Sequence, residues 1–121
     1  MYQEKNSDPL TTLLRERVLV LDGAMGTSIQ DRNLGPKDFG GPEYEGCNEY
    51  LVITRPNVIA EIHQSFLDAG ADIIETNTFG ATSVVLSEYN LGQEARRINL
   101  KAALLARRQA DGASTIEKPR F

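Results

Sequence analysis

Small and polar residues follow two apolar runs of the sequence, at the points where those runs end. The first group is Asp22–Thr27 and the second is Glu75–Phe79. A carboxylate beside small residues with approachable backbone N–H groups suits a zwitterion. Asp22 can pair with an ammonium, while the amides of Gly23 and Ala24 can hold a carboxylate. The alternative is that Asp22 only caps the following turn.

The second group places a carboxylate and two hydroxyls within four residues. By the alternation of a strand, Thr76 shares a face with Ile74, and Glu75 shares the other face with Ile73. Only one of the two polar residues is therefore expected to point into the lumen of a barrel. A polar strand end is also common where a chain simply enters a loop.

The first group does not match a nucleotide-binding loop. Counted from Gly23, the remaining glycine positions of a dinucleotide fingerprint hold Met25 and Ser28. The Gly-Lys pair of a phosphate-binding loop is missing as well.

Two further residues have side chains that often do chemistry. His63 is the only histidine, and it lies beside the apolar stripe of a predicted helix, so we interpret it as packed between helix and sheet. Cys47 is the only cysteine and has no histidine at ligand spacing, so we do not assign it to a metal site.

The elements that position these residues can be predicted from periodicity and from turn residues. Helices are predicted at Pro9–Arg17 with Asp8 as the cap, at Pro56–Ala69 with Gly70 as the terminator, at Ser83–Tyr89 and at Gln93–Ala110. Strands are predicted at Val18–Leu21, buried on both faces, and at Ala71–Thr76, and Lys118–Phe121 resembles the approach to a third. Leu34–Tyr50 has no period and is predicted to be a long loop, which we interpret as functional.

The order of these elements is βαβα, with helices long enough to cross over between parallel strands. The fold class is therefore α/β, and ligands are expected at the carboxyl ends of the strands. A (β/α)8 TIM barrel needs about 250 residues. We therefore expect the 121 residues to be the N-terminal βαβα portion of a barrel that is incomplete in this chain.

Composition excludes several classes of protein. The net charge of -4 and the lack of a dense basic cluster argue against a nucleic-acid-binding protein. No apolar run is long enough to span a membrane, and Met1–Pro9 lacks the features of a secretion signal. A single cysteine suits a reducing compartment, so a cytoplasmic location is expected.

Three motifs resemble those of the homocysteine S-methyltransferase family. They are Leu19–Thr27, Gly46–Leu51 and Ala69–Phe79, and they occur in the family's order and spacing. The resemblance covers Leu10–Phe121. The pair Asn48–Glu49 and the form of the third motif resemble the cobalamin-dependent branch of the family.

The resemblance implies transfer of a methyl group to the thiol of homocysteine, which gives methionine. It implies that Asp22 meets the substrate amino group, that Gly23 and Ala24 receive its carboxylate, and that Thr76 lines the same site. Zinc held by three cysteines binds the sulfur in this family, and those cysteines are expected downstream of this chain. Cobalamin and methyltetrahydrofolate are expected on other modules, so folate- and cobalamin-binding modules are the implied partners.

On this interpretation residues 1–121 form the N-terminal portion of a homocysteine-binding domain. The segment contains part of a substrate site, with no catalytic residue and no metal ligand, and is expected to be inactive alone. Two alternatives stay open. One is a segment of a standalone homocysteine methyltransferase that uses betaine or S-methylmethionine, and the other is a non-catalytic βα interaction module.

Overall fold

The structure is a computed structural model that describes residues 8–121. The interpretation of Met1–Pro9 as lacking a secretion signal falls largely on residues outside this range. The helices are α1 (Pro9–Glu16), α2 (Met25–Gln30), α3 (Leu51–Thr54), α4 (Pro56–Asp68), α5 (Ser83–Leu86) and α6 (Ala95–Ala113). Short 3-10 helices lie at Pro36–Phe39, Pro42–Tyr44, Asn48–Tyr50, Ser87–Tyr89 and Gly92–Glu94.

The two predicted strands lie side by side and run parallel, although their ladder is short. Leu21 and Ile73 form a parallel bridge. The N–H of Ile73 donates to the carbonyl of Val20 at 3.1 Å, and the N–H of Asp22 donates to the carbonyl of Ile73 at 3.0 Å. The predicted parallel pairing is thus confirmed, and Asp22 is fixed beside the second segment.

The end of the chain adds a third extended segment, as the sequence predicts. The N–H of Phe121 donates to the carbonyl of Asp72, and the N–H of Ile74 donates to the carbonyl of Phe121, both at 2.8 Å. This alternation is the parallel pattern. The segment at 71–75 therefore lies between the other two.

The prediction that Val18–Leu21 is buried on both faces is wrong for this chain. Val18 is 87% exposed and Val20 is 57% exposed. The first segment pairs along one edge only, and the described helices leave much of its surface uncovered. Burial of a parallel strand requires neighbours on both faces, and the described residues do not supply them.

An ion pair between a partly exposed arginine and a buried aspartate fixes the start of the second segment to the first. Arg17 donates from Nη2 to Oδ1 of Asp72 at 2.8 Å and from Nη1 to Oδ2 at 3.1 Å. The N–H of Val20 donates to the same Oδ2 at 2.9 Å. The Asp72 side chain is only 3% exposed. Its hydrogen bonds with Arg17 lower the pKa of the carboxyl to about 2.

Helices α1 and α4 have the boundary residues that the sequence predicts. Asp8 accepts hydrogen bonds from the N–H groups of Leu10 and Thr11 and so caps α1. Helix α4 begins at Pro56 and is followed by Gly70, whose φ of +105° is the left-handed conformation that glycine favours.

The later helices differ in detail from the prediction. The helix expected at Ser83–Tyr89 is divided into α5 and a 3-10 turn, and the long helix begins at Ala95 rather than Gln93. Helix α6 continues past Ala110 to Ala113. Gly112 therefore lies inside the last turn and does not end the helix.

The segment Leu34–Tyr50 is more ordered than the predicted loop. Three 3-10 helices occupy most of it. Each is only three or four residues long, so none can produce the apolar periodicity by which α-helices are predicted. Phe39 from this segment is buried in the main core.

The core lies between the helices, with α4 packed against α6, α3 and α2. Its largest fully buried side chains include Leu51, Ile59, Ile62, Leu86 and Ile98. The prediction that His63 is packed is confirmed, because its side chain is fully buried. Neither ring nitrogen has a hydrogen-bond partner among residues 8–121, and burial lowers the pKa of the imidazole.

Within residues 8–121, no helix combines the length and the apolar character needed to cross a membrane.

Candidate functional site

A cavity of about 390 Å³ lies where the first two extended segments end. It brings together Asp22, Gly23, Ala24 and Thr76, the four residues that the sequence predicts to bind substrate. The remaining lining residues are Met25, Gly26, Thr27, Asn48, Glu49, Glu75, Asn77, Thr78 and Phe79. Residues from three separate parts of the chain therefore meet at one point.

The Asp22 carboxylate connects the two segment ends. Its Oδ1 accepts a hydrogen bond from the backbone N–H of Glu75 at 2.9 Å. The residue is half-buried. Burial raises the pKa of the Asp22 carboxyl above its ordinary value, although the Glu75 N–H opposes the shift, and the nearby Glu75 charge adds to it. An ammonium in the cavity would offset both unfavourable effects, because its positive charge stabilises the ionised carboxylate.

The alternative role for Asp22, capping its own turn, is not what the structure shows. The first residue flanking α2 is Ala24, and no side chain accepts a hydrogen bond from the start of that helix. The carboxylate instead reaches across to the neighbouring segment. One oxygen, Oδ2, has no hydrogen-bond partner among the described residues.

The backbone beside Asp22 offers donors that the chain itself does not use. Among residues 8–121, the N–H groups of Gly23 and Ala24 make no hydrogen bond. Ala24 has φ +53° and ψ +30°, a left-handed conformation that is uncommon for alanine. Such conformations concentrate at functional sites, where the surroundings hold them.

Gly23 is not required by the packing of this chain. A Cβ atom built on it would meet nothing within 4 Å, and its φ is not left-handed. The space above this glycine is open cavity. A small residue here lets a ligand approach the backbone closely.

Glu75 and Thr76 both line the cavity, which differs from the expectation that strand alternation would admit only one of them. The regular pairing stops before Glu75, so the alternation of faces no longer applies. Ile74 still packs on the helix side, in a cluster with Leu67 and Ala106. The Thr76 hydroxyl lies 2.7 Å from that of Thr78.

Three further residues line the cavity although the sequence predicts no role for them: Asn48, Glu49 and Asn77. The only feature of the sequence that pointed to Asn48 and Glu49 is the family motif to which they belong. Their contacts join residues about thirty positions apart along the chain. Local patterns do not report contacts of that kind.

The described residues do not form a metal centre of the kind the resemblance implies. No group of three or more histidine, cysteine or acidic residues in the range 8–121 is placed to hold a metal ion. Cys47 is only 1% exposed, and burial raises the pKa of its thiol, which opposes formation of the thiolate that a metal binds. The fully buried His63 is not among the lining residues of the cavity.

Comparison with known proteins gives a consistent result. Residues 19–121 match the family described as homocysteine S-methyltransferase. A methionine synthase from Mycobacterium leprae (strain TN) is 42% identical over 119 residues, which are 98% of this chain and 10% of that protein.

Two crystal structures of the homocysteine methyltransferase MmuM from Escherichia coli share the fold. The oxidized form gives a TM-score of 0.70 at 26% identity, covering 88% of this chain and 35% of that one. The metallated form gives a TM-score of 0.68 at 25% identity, covering 87% and 35%. This chain therefore spans a minor part of each relative. The family match covers 103 of the 121 residues, including both segment ends that line the cavity, so the chain belongs to the homocysteine S-methyltransferase family.

Proposed function

We propose that residues 1–121 are the N-terminal portion of the homocysteine-binding domain of a methionine synthase. The observation that carries the proposal is the pairing, in one cavity, of a carboxylate oxygen without a partner and two unused backbone N–H groups. An α-amino acid presents the two complementary groups, an ammonium and a carboxylate. The 42% identity to a methionine synthase supports the same assignment.

In this proposal Asp22 binds the ammonium of homocysteine through a charge-assisted hydrogen bond. The N–H groups of Gly23 and Ala24 receive the substrate carboxylate, since successive amides around a left-handed residue form a concave anion site. Thr76 lines the same cavity and offers a hydroxyl. These residues bind and orient the substrate, and none of them acts on its sulfur.

The fold proposed for the complete domain is a (β/α)8 barrel, of which the three parallel segments are the first strands. The exposed faces of Val18 and Val20 support this, because they are apolar and lack neighbours in the described chain. Further strands and helices would cover them. The cavity lies at the carboxyl ends of the segments, where barrels bind their ligands.

Activation of the sulfur is assigned to other parts of the protein. The described residues do not fit a zinc site, so we place the zinc ligands on later segments, and cobalamin and methyltetrahydrofolate on other modules. The overall reaction is methylation of the homocysteine thiol to give methionine. The 121-residue segment alone is accordingly expected to be inactive.

A second candidate is a segment of a standalone homocysteine methyltransferase that uses betaine or S-methylmethionine. The similarity to MmuM favours it. The identity to that enzyme is 26%, against 42% to the methionine synthase. Sequence similarity thus favours the synthase.

The test is an assay of the complete protein that contains this segment. Homocysteine is supplied with methyltetrahydrofolate and cobalamin, with betaine, or with S-methylmethionine, and methionine is measured. Methionine formed only with the folate donor supports the synthase. Formation with another donor supports the standalone enzyme, and no methionine with any donor refutes both.

We predict that Gly23→Ala in the complete protein weakens homocysteine binding by about tenfold, while the free energy of unfolding changes by less than about 0.5 kcal/mol. The added methyl group enters open cavity beside the substrate carboxylate and meets none of the chain's own atoms. Titration calorimetry with homocysteine measures the first effect, and urea unfolding measures the second.

Gly112→Ala is the matched control. Gly112 is exposed in the last turn of α6, where an added Cβ also meets nothing within 4 Å. Alanine is expected to stabilise that helix by about 0.5–1 kcal/mol and to leave binding unchanged. Equal affinity of the Gly23→Ala variant and the wild type would contradict the assigned carboxylate site.

A further inference from the structure

We propose that Glu49 is a positioning residue that fixes the polar turn 75–80 beside the substrate, an inference that rests on the proposed function. Two hydrogen bonds carry it. Glu49 accepts the backbone N–H of Gly80 at Oε1, at 3.0 Å, and Asn77 donates from Nδ2 to the carbonyl of Asn48 at 2.8 Å. We call these two bonds, from Gly80 to Glu49 and from Asn77 to the neighbouring Asn48, the Glu49 latch.

The latch joins two parts of the chain that are far apart in sequence. Its bonds span 31 and 29 residues. One side is the 3-10 turn Asn48–Tyr50, which lies directly before α3. Asn77 is buried, so water could not replace its hydrogen bond to Asn48 if that bond were broken. The turn 75–80 is thereby attached to the helical layer.

Gly80 shows that the chain is built to let Glu49 approach. A Cβ atom on Gly80 would lie 2.9 Å from Oε1 of Glu49 and 3.2 Å from its Cδ. The φ of Gly80 is not left-handed, so backbone conformation does not require glycine here. The close approach of the Glu49 carboxylate, and of a Val85 methyl group at 3.3 Å, favours glycine instead. A larger residue at this position would require the Glu49 carboxylate to shift relative to the N–H that it binds.

The latch acts together with Asp22. Asp22 accepts the N–H of Glu75, and Glu49 accepts the N–H of Gly80. The turn is therefore held at each end by one carboxylate oxygen. Thr76 lies between these two anchors, so its position relative to Asp22 depends on both of them. Hydrogen bonds to a charged acceptor are stronger than neutral ones, which suits a turn whose residues line the cavity.

The latch predicts a defect in binding rather than in chemistry. If Glu49 only positions Thr76 and its neighbours, its loss raises the KM for homocysteine and leaves kcat nearly unchanged. A purely structural role would lower the amount of folded protein and leave the KM of the folded fraction intact. The split between KM and kcat separates the two.

The experiment uses the complete protein and three substitutions of glutamate. Glu49→Ala is expected to raise the KM for homocysteine about tenfold or more, with kcat within about threefold. Glu49→Gln keeps a carbonyl oxygen that can accept the Gly80 N–H, although as a neutral and weaker acceptor, so its KM is expected to increase clearly less than that of Glu49→Ala. Glu61→Ala is the control, because Glu61 pairs with Arg32 on an exposed surface outside the cavity, and its KM should not change.

If Glu49→Ala does not fold, Gly80→Ala tests the same hydrogen bond from its other partner. It leaves Glu49 in the chain and requires its carboxylate to shift relative to the N–H, so a KM increase in the same direction as that of Glu49→Ala, but smaller, is expected. A Glu49→Ala or Gly80→Ala variant that is folded with the KM of Glu61→Ala overturns the latch. So does a Glu49→Gln variant as impaired as Glu49→Ala. A wild-type protein that does not methylate homocysteine refutes the proposed function instead.

Discussion

An Asp22→Ala variant of the complete protein is expected to bind homocysteine more weakly by about 1.5–3 kcal/mol, the range for a hydrogen bond to a charged group. That range corresponds to about 10- to 100-fold in Kd. The physical reason is the loss of the only proposed partner of the substrate ammonium within this segment. Metal content should not change, because no metal-binding group is formed among residues 8–121.

Asp22→Asn distinguishes the effect of the Asp22 charge on binding from its effect on the position of the turn at Glu75. The amide oxygen can still accept the Glu75 N–H that Oδ1 now binds, while the negative charge is lost. We expect Asp22→Asn to retain most of the binding defect of Asp22→Ala. A variant with normal affinity for homocysteine and reduced zinc would show that the role assigned to Asp22 is wrong.

The raised pKa of Asp22 adds a pH dependence with a defined sign. Because burial raises the pKa of this carboxyl, it becomes protonated at a higher pH than an exposed aspartate. Only the ionised form attracts an ammonium, so the Kd for homocysteine should increase as the pH falls towards the pKa of Asp22. The Asp22→Asn variant should lack this dependence.

The second large effect is expected at Asp72. Asp72→Ala should lower the free energy of unfolding by about 2–4 kcal/mol, somewhat less than the 3–5 kcal/mol typical of breaking a fully buried pair. The loss is moderated because Arg17, whose side chain is 43% exposed, can return to water. The N–H of Val20 also loses its acceptor. Urea unfolding measures the change, and Asp111→Ala, which removes an exposed pair with Arg107, is the control expected to have little effect.

The same ion pair makes stability depend on pH in acid. The pKa of Asp72 is lowered from 3.8 to about 2 in the folded protein, so its stabilising contribution is present above pH 4 and is lost as the pH falls through about 2. At about 1.4 kcal/mol for each pKa unit, that contribution is about 2.5 kcal/mol. Asp72→Asn should flatten the fall in stability between pH 4 and pH 2, and an unchanged slope would contradict the assignment.

The sequence was sufficient where local chemistry decides the structure. Asp8 and Pro56 mark helix starts, and Gly70 marks a helix end, because each satisfies or terminates the backbone hydrogen bonds of its own helix. The carboxyl ends of the apolar runs correctly located Asp22 and Thr76 in one cavity, because parallel strands place those ends together. Their role towards the substrate is a prediction for the experiments above.

The sequence alone does not predict the features that depend on residues far apart along the chain. The exposure of Val18 and Val20 depends on which neighbours are present, and the apolar run itself does not report them. The 3-10 turns of Leu34–Tyr50 are too short to show a period. Glu49 gains its contact from a residue 31 positions away, so only the folded chain identifies its partner.

The separation between the first two extended segments also sets the order in which the chain can fold. Val20 and Asp72 meet across 52 residues. At a synthesis rate of about 5–20 residues per second, the apolar run Val18–Leu21 leaves the ribosome about 3–10 seconds before the segment that contains Asp72 does. Helix α4 needs only local contacts and can form during that interval. Sheet pairing must follow, so the backbone of this run stays unpaired and prone to aggregation until the segment that contains Asp72 has been made.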